Sequence, residues 1–415
     1  MSNEESVATD RAARRRAAPP SAAWVRRLAV AALILAALNL RPAVTSLGPV
    51  LEEARASLGM SATLAGLLVS LPAVCFALIG FAAPRLARRY GAEAVIVTGL
   101  AAITAGLVLR SFAHATALFV ALSALALAGI AVANVLLPVV VKQRFPHRVG
   151  AMTGLYSMAL NLGASGAAAA TVPLANVADG DWRIGLGTWA LLAAVAVPPW
   201  LRLVRRRDVA DAGRVPGAPG AAAGRDVRLR RSPTAWALAV YFGLQATAAY
   251  VIIGWLPTMF RDAGLSAESA GLLFAVTSVL GVPLSFALAA VAGRLRHQSG
   301  IAVVLAVFGL AGYAGLWAAP SAVPWLWAVL LGVANCSFPL ALTMIGMRGR
   351  DGATVTRLSA FAQGVGYLMS IPGPILVGAL YERTDDWQVP LVFMAALMVA
   401  QLLAGVLAGR NRQLG

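Results

Sequence analysis

GMSATLAGLL at residues 59–68 and GLSAESAGLL at residues 264–273 are the same phrase written twice, 205 residues apart. The same offset joins ARRY (87–90) to AGRL (292–295) and DWRIGL (181–186) to DWQVPL (386–391). Three matches at one spacing, each at the same place within its half, mark a duplicated unit. The chain of 415 residues therefore reads as two related halves.

Composition says what the halves are made of. Some 60% of the residues are hydrophobic and 12% are charged, whereas a soluble globular chain is roughly half apolar and a quarter charged. No compact soluble fold hides that much apolar surface, which excludes a soluble enzyme. Apolar runs of bilayer-crossing length recur, at about 28–51, 62–83, 94–113, 115–141, 151–176, 185–203, 234–258, 268–291, 300–319, 324–346, 357–380 and 388–409. The expected fold is an all-α membrane protein of twelve helices in two pseudo-symmetric six-helix bundles. Residues 1–23 read as a disordered tail, 24–203 and 233–409 as the bundles, 204–232 as a Gly/Pro/Ala/Arg linker, and 410–415 as a second tail.

The net charge of +17 is a topology signal. With both termini cytoplasmic, the inner tails and loops hold 28 of the 34 Lys and Arg residues, while Arg55, Arg110, Arg183, Arg261 and Arg383 fall outside. That bias fixes the orientation and removes the case for nucleic acid; lipid is the expected surround. Cys75 and Cys336 lie in apolar runs, and the single lysine, Lys142, has no phosphate-binding Gly-rich loop. His114, His147 and His297 fall in loops or at span ends, so neither a metal nor a cofactor is expected.

The thirty-fourth base, Arg41 in ALNLRPAVTSLGP, falls near the middle of the first span. An Arg at that depth costs roughly 2.5–3.5 kcal/mol or more. All seventeen acids lie in tails, loops or span ends, Glu52 and Glu53 included, so none is an embedded partner. Either the guanidinium is held by carbonyls of a kinked helix, or the missing anion is a solute suited to its planar fork. Pro42 lacks an N–H and frees the Leu38 carbonyl. Thr45 shares the face of Arg41; Asn39 points elsewhere and reads chiefly as packing, although it stays among the solute-binding candidates.

A second pattern, Asn-x-x-x-Pro, occurs in spans four and ten as Asn134–Pro138 and Asn335–Pro339. Each proline frees the carbonyl of its own Asn, which leaves a polar pair facing either a cavity or a neighbouring helix. Gln245 and Tyr250 in span seven, with Gln363 and Tyr367 in span eleven, are further interior polar groups able to complete an anion's coordination or to join helices. Pro42, Pro138 and Pro339 are candidate hinges, and Trp255 is the candidate outer gate.

PRLARRYG at 84–91 resembles the Gly-x-Leu-Ala-Asp-Arg-x-Gly loop of the major facilitator superfamily, keeping Ala87, Arg89 and Gly91 while carrying Pro84 and Arg88 at the first Gly and the Asp. NLRPAVTSLGPVL (39–51), NVLLPVVVKQRFP (134–146) and QGVGYLMSIPGP (363–374) resemble, more narrowly, the cyanate permease and 2-nitroimidazole transporter family. The resemblance implies a secondary transporter of the bacterial inner membrane. It would carry a small anionic or nitro-bearing solute by rocking of two bundles, with Arg41 as the binding charge and Arg89 in the gating loop. Coupling is left between facilitated diffusion, exchange and proton use through Glu52 or Glu53. The alternatives are a channel-like pore or an exporter of neutral hydrophobic drugs in which Arg41 is structural.

Overall fold

The computed structural model describes residues 22–145, 148–210, 229–350 and 352–413. Most of the expected tail (1–21) and of the expected linker (211–228) lies outside these residues. The first half comprises α1 (Ala22–Leu38), α2 (Pro42–Thr45), α3 (Leu51–Leu58), α4 (Ala62–Tyr90), α5 (Ala92–Ser111), α6 (Thr116–Arg144), α7 (Val149–Asn176), α8 (Trp182–Gly187) and α9 (Trp189–Ala210). The second comprises α10 (Pro233–Asp262), α11 (Ala267–Arg294), α12 (Ser299–Ala318), α13 (Pro324–Ala334), α14 (Ser337–Arg348), α15 (Gly352–Ser370), α16 (Pro372–Thr384) and α17 (Gln388–Ala408). Among the described residues, eleven stretches are long and apolar enough to cross a bilayer. At the remaining expected span, α11 carries a shorter apolar stretch, Ala267–Gly281.

The duplicated phrase does the same local work in both halves. Gly59 and Gly264 turn the chain with φ of 61° and 92°, a region where a Cβ clashes and glycine is at ease. Two residues later Ser61 and Ser266 cap the next helix, their hydroxyls accepting the amides of Leu64 and Ser269 at 3.2 Å. Such a cap is worth about 1 kcal/mol. Asp181 and Asp386 repeat the device, each accepting the amide two residues on at 2.9 Å. A further match is invisible as a motif: Arg144 reaches Glu93 at 2.5 Å, and at nearly the same spacing Arg348 reaches Gln298.

The phrase also makes the seam between the halves. A methyl on Gly66 of α4 would collide with the Pro374 carbonyl of α16, and one on Gly271 of α11 would lie 2.7 Å from the Ala168 carbonyl of α7. Small residues at these reciprocal points let backbones touch, which is how helices associate when lipid supplies no hydrophobic drive. Peripheral helices turn Leu and Val outward instead: Leu191, Val195, Val304, Val307, Leu403 and Leu407 are all exposed, as lipid-facing positions require.

Proline interrupts three spans. The first breaks over residues 39–41 before Pro42, the tenth at Asn335–Cys336 before Pro339, and the eleventh at Ile371 before Pro372. Pro138, by contrast, sits inside the continuous helix α6. Breaks of this kind persist in a bilayer only where protein or water covers the freed backbone.

Candidate functional site

Arg41 caps α2 immediately after the break in the first span, with φ of −123°. Its side chain is half-buried. Among the described residues its guanidinium makes neither a hydrogen bond nor an ion pair; only its backbone carbonyl is used, accepting from the Val44 and Thr45 amides at 2.9 and 3.0 Å and from the Thr45 hydroxyl at 3.2 Å. Three phenols stand in its neighbourhood: Tyr156 of α7, Tyr250 of α10 and Tyr367 of α15. One belongs to the first half and two to the second, so the cation stands at the meeting of the halves.

Aromatic rings pack around one of these phenols. Tyr367 stacks on Phe76 of α4, with centroids 5.3 Å apart, and meets Phe242 of α10 edge-on at 5.0 Å. Phe242 packs in turn on Phe338 of α14 at 5.9 Å. The Tyr156 hydroxyl donates to the Asn134 side-chain oxygen at 3.4 Å, and the Asn134 amide donates to the Ile130 carbonyl. A guanidinium fork, phenol hydroxyls and ring faces together suit a small planar group with delocalised negative charge on its oxygens.

The other candidates are distributed differently. Asn39 is buried and donates to the Leu35 and Leu192 carbonyls, at 2.7 and 3.1 Å, tying α1 to α9. Thr45 is buried against its own helix. Gln363 donates to the Ser359 hydroxyl at 2.6 Å. Gln245 and Asn335 line a small void inside the second half with Ser337 and Gln401, and Gln401 donates to Ser337 at 3.0 Å. Trp255 is fully buried beside Tyr381 and Trp387. Arg89 is exposed at the far end of α4, over the Tyr90 ring at 5.2 Å. Pro42 is buried at the start of α2.

Sequence reasoning missed Tyr156, Phe76 and Arg110. Tyr156 is a lone aromatic in the small-residue run GLYSMALNLG, a contrast that could have drawn notice. Phe76 carries no signal in an apolar helix. Arg110, placed by the sequence at an outer loop, is instead buried in the last turn of α5 and donates to the Ala43 carbonyl at 3.2 Å. Two arginines thus flank the short helix α2.

At one end the two halves are bonded by a cluster of polar contacts. Glu53 pairs with Arg261 at 2.8 Å; Glu382 accepts the Thr63 amide and hydroxyl at 2.9 and 2.6 Å; Asn176 donates to Glu268 at 2.8 Å. Deeper, Ser70 donates to the Ile371 carbonyl at 2.8 Å.

Comparison with known proteins agrees with this architecture. The chain is 35% identical over 390 residues to the uncharacterized transporter YycB of Bacillus subtilis (strain 168), covering 92% of this chain and 94% of that one. It is 32% identical over 393 residues to the 2-nitroimidazole transporter of Escherichia coli (strain K12), covering 94% and 97%. To the cyanate transport protein CynX of the same organism it is 30% identical over 372 residues, covering 89% and 94%. Among solved structures, the nucleoside transporter NupG aligns with a TM-score of 0.72 at 13% identity, covering 92% and 98%. An inward-facing, occupied bacterial homolog of the human lysosomal transporter Spinster gives 0.70 at 16%, covering 92% and 94%; both likenesses speak to the fold alone. Residues 33–347 match the Major Facilitator Superfamily, and the chain, a multi-pass membrane transporter and not an enzyme, belongs to that family.

Proposed function

We propose that the protein is a secondary transporter that moves a small anionic or nitro-bearing solute by alternating access, with Arg41 as its main binding charge. One observation carries the proposal: the Arg41 guanidinium, at a proline break between the halves, has no acceptor among the described residues while three tyrosines stand within reach of its field. A cation kept there without a partner is costly, and a bound anion offsets that cost only while it is present. The relatives named for cyanate and 2-nitroimidazole point the same way. Cyanate is a small delocalised anion, and a nitro group offers two oxygens to a fork.

With the orientation expected from the arginine bias, the Glu53 end is the outer one, and on this reading its contacts close the outer side. In alternating access the Glu53–Arg261, Glu382–Thr63 and Asn176–Glu268 contacts part as the other end closes. A solute drives this only through different affinity for the two states. Phenols supplied by both halves give that difference, since separation of the halves changes their distance from Arg41. Proton use through Glu52 or Glu53 requires opening their present pairs with Arg55 and Arg261.

Calorimetric titration of the purified protein with cyanate and with 2-nitroimidazole tests this reading. Saturable binding of either, lost in Arg41→Gln, supports it. Binding unchanged in that variant rejects it.

A further inference from the structure

Arg110 is 1% exposed, and only its Nη1 has a partner, the Ala43 carbonyl. Its Nε and Nη2 are buried with no acceptor. The Phe119 ring lies 6.0 Å from the guanidinium carbon, and the C-terminal dipole of α5 favours a cation here; neither accepts those two N–H groups. Ser123 of α6 lines the same small void, equally buried and with its Oγ unpartnered. The remaining wall is apolar, Leu47, Leu68, Val69 and Leu127 among it, and no carboxylate lines it.

Two unpartnered donors of a cation and an unpartnered hydroxyl thus border one void whose other walls are apolar. The void has room for about one water-sized particle, too little for an organic solute. We propose that Arg110 and Ser123 form a second anion site, distinct from Arg41, which takes one small inorganic anion of the halide class. Nε–H and Nη2–H of Arg110 and the Ser123 hydroxyl donate to it. Ile253 and Gly254 of the second half close the void, so the site is complete only while the halves are joined at the Glu53 end. By linkage, the anion stabilises that joined state. The inference stands apart from the solute reading of Arg41.

Thermal unfolding of the purified full chain in sodium chloride, sodium bromide and sodium gluconate at equal ionic strength tests it. Chloride and bromide should raise the melting temperature saturably by a few degrees over gluconate. Arg110→Gln should abolish the rise, and Arg41→Gln should keep it. Should Arg110→Gln fail to fold, Ser123→Ala decides: its apparent halide affinity should fall roughly tenfold, as expected for one lost charge-assisted hydrogen bond. The proposal is overturned by equal melting in all three salts, which makes the occupant water. It is equally overturned by a halide effect that survives both Arg110→Gln and Ser123→Ala, or one removed by Arg41→Gln.

Discussion

Glu53 of the first half and Arg261 of the second meet in a 2.8 Å ion pair across the seam, and Arg261 also donates to the Pro49 carbonyl at 3.4 Å. Beside them Tyr381 stacks on Trp387 at 4.3 Å, and both donate to Asp262. Arg55 lies 6.0 Å from the Tyr381 ring. A joint of part-exposed polar pairs is weak bond by bond, roughly 0–1 kcal/mol each. Weakness suits a contact that must part in every transport cycle.

Removing one such pair should tilt the conformational balance without unfolding the protein. In Glu53→Gln or Arg261→Gln, the ratio of outward-closed to outward-open molecules should fall about two- to fivefold, equivalent to roughly 0.5–1 kcal/mol. Spin-label distances between the loops at residues 59 and 264 read this directly. An unchanged distribution would mean that the pair does not hold the joint.

Tyr156 and Asn134 should act as one unit. Tyr156→Phe and Asn134→Ala are each expected to weaken solute binding by up to about tenfold, the worth of one hydrogen bond near a charge. Because the two side chains are bonded, the double variant should lose less than the sum. Titration calorimetry on the four proteins gives the coupling. Full additivity would place the two residues at separate jobs.

The seam glycines give a packing test. Gly66→Val and Gly271→Val each push a side chain into a carbonyl of the opposite half, and overpacking of this kind costs about 1–3 kcal/mol. Both variants should still form helix by circular dichroism, yet lose transport in reconstituted vesicles. Normal transport in either would show that the contact is not part of the cycle.

What the sequence made legible was local. Gly59, Gly264, Ser61 and Ser266 turn and cap, jobs that a single residue type announces, so the repeat could be seen by eye. Pro42 announced the break in the first span for the same reason. Helical spacing turned Asn39 away from Arg41, but which groups the side chains meet was not legible. Asn39 and Arg41 are two residues apart, but only the fold sends the first to Leu192 of α9. Gln245 and Gln401 line one small void, a placement that depends on how α10 meets α17. Two copies of Asn-x-x-x-Pro also diverged: α6 runs through Pro138, while the tenth span breaks where Ser337 satisfies the Ala334 carbonyl at 2.8 Å. Arg110 was hidden because hydropathy places a residue along the membrane normal and says nothing of where its side chain points.

On the proposed reading, Arg41 waits for a solute and does not brace the helix break. This is tested most directly by measuring solute affinity and melting temperature on the same purified Arg41→Gln protein. Loss of one partner from a buried charge-assisted contact costs about 2–5 kcal/mol of binding, while removal of an unpartnered cation leaves stability unchanged or slightly raised. Affinity should therefore be at least thirtyfold weaker, taking about 2 kcal/mol as the lower bound, at an unchanged or higher melting temperature. Arg41→Lys should restore little, because an ammonium lacks the fork. A destabilised Arg41→Gln protein that binds its solute normally would make Arg41 a brace of the helix break and not the binding charge.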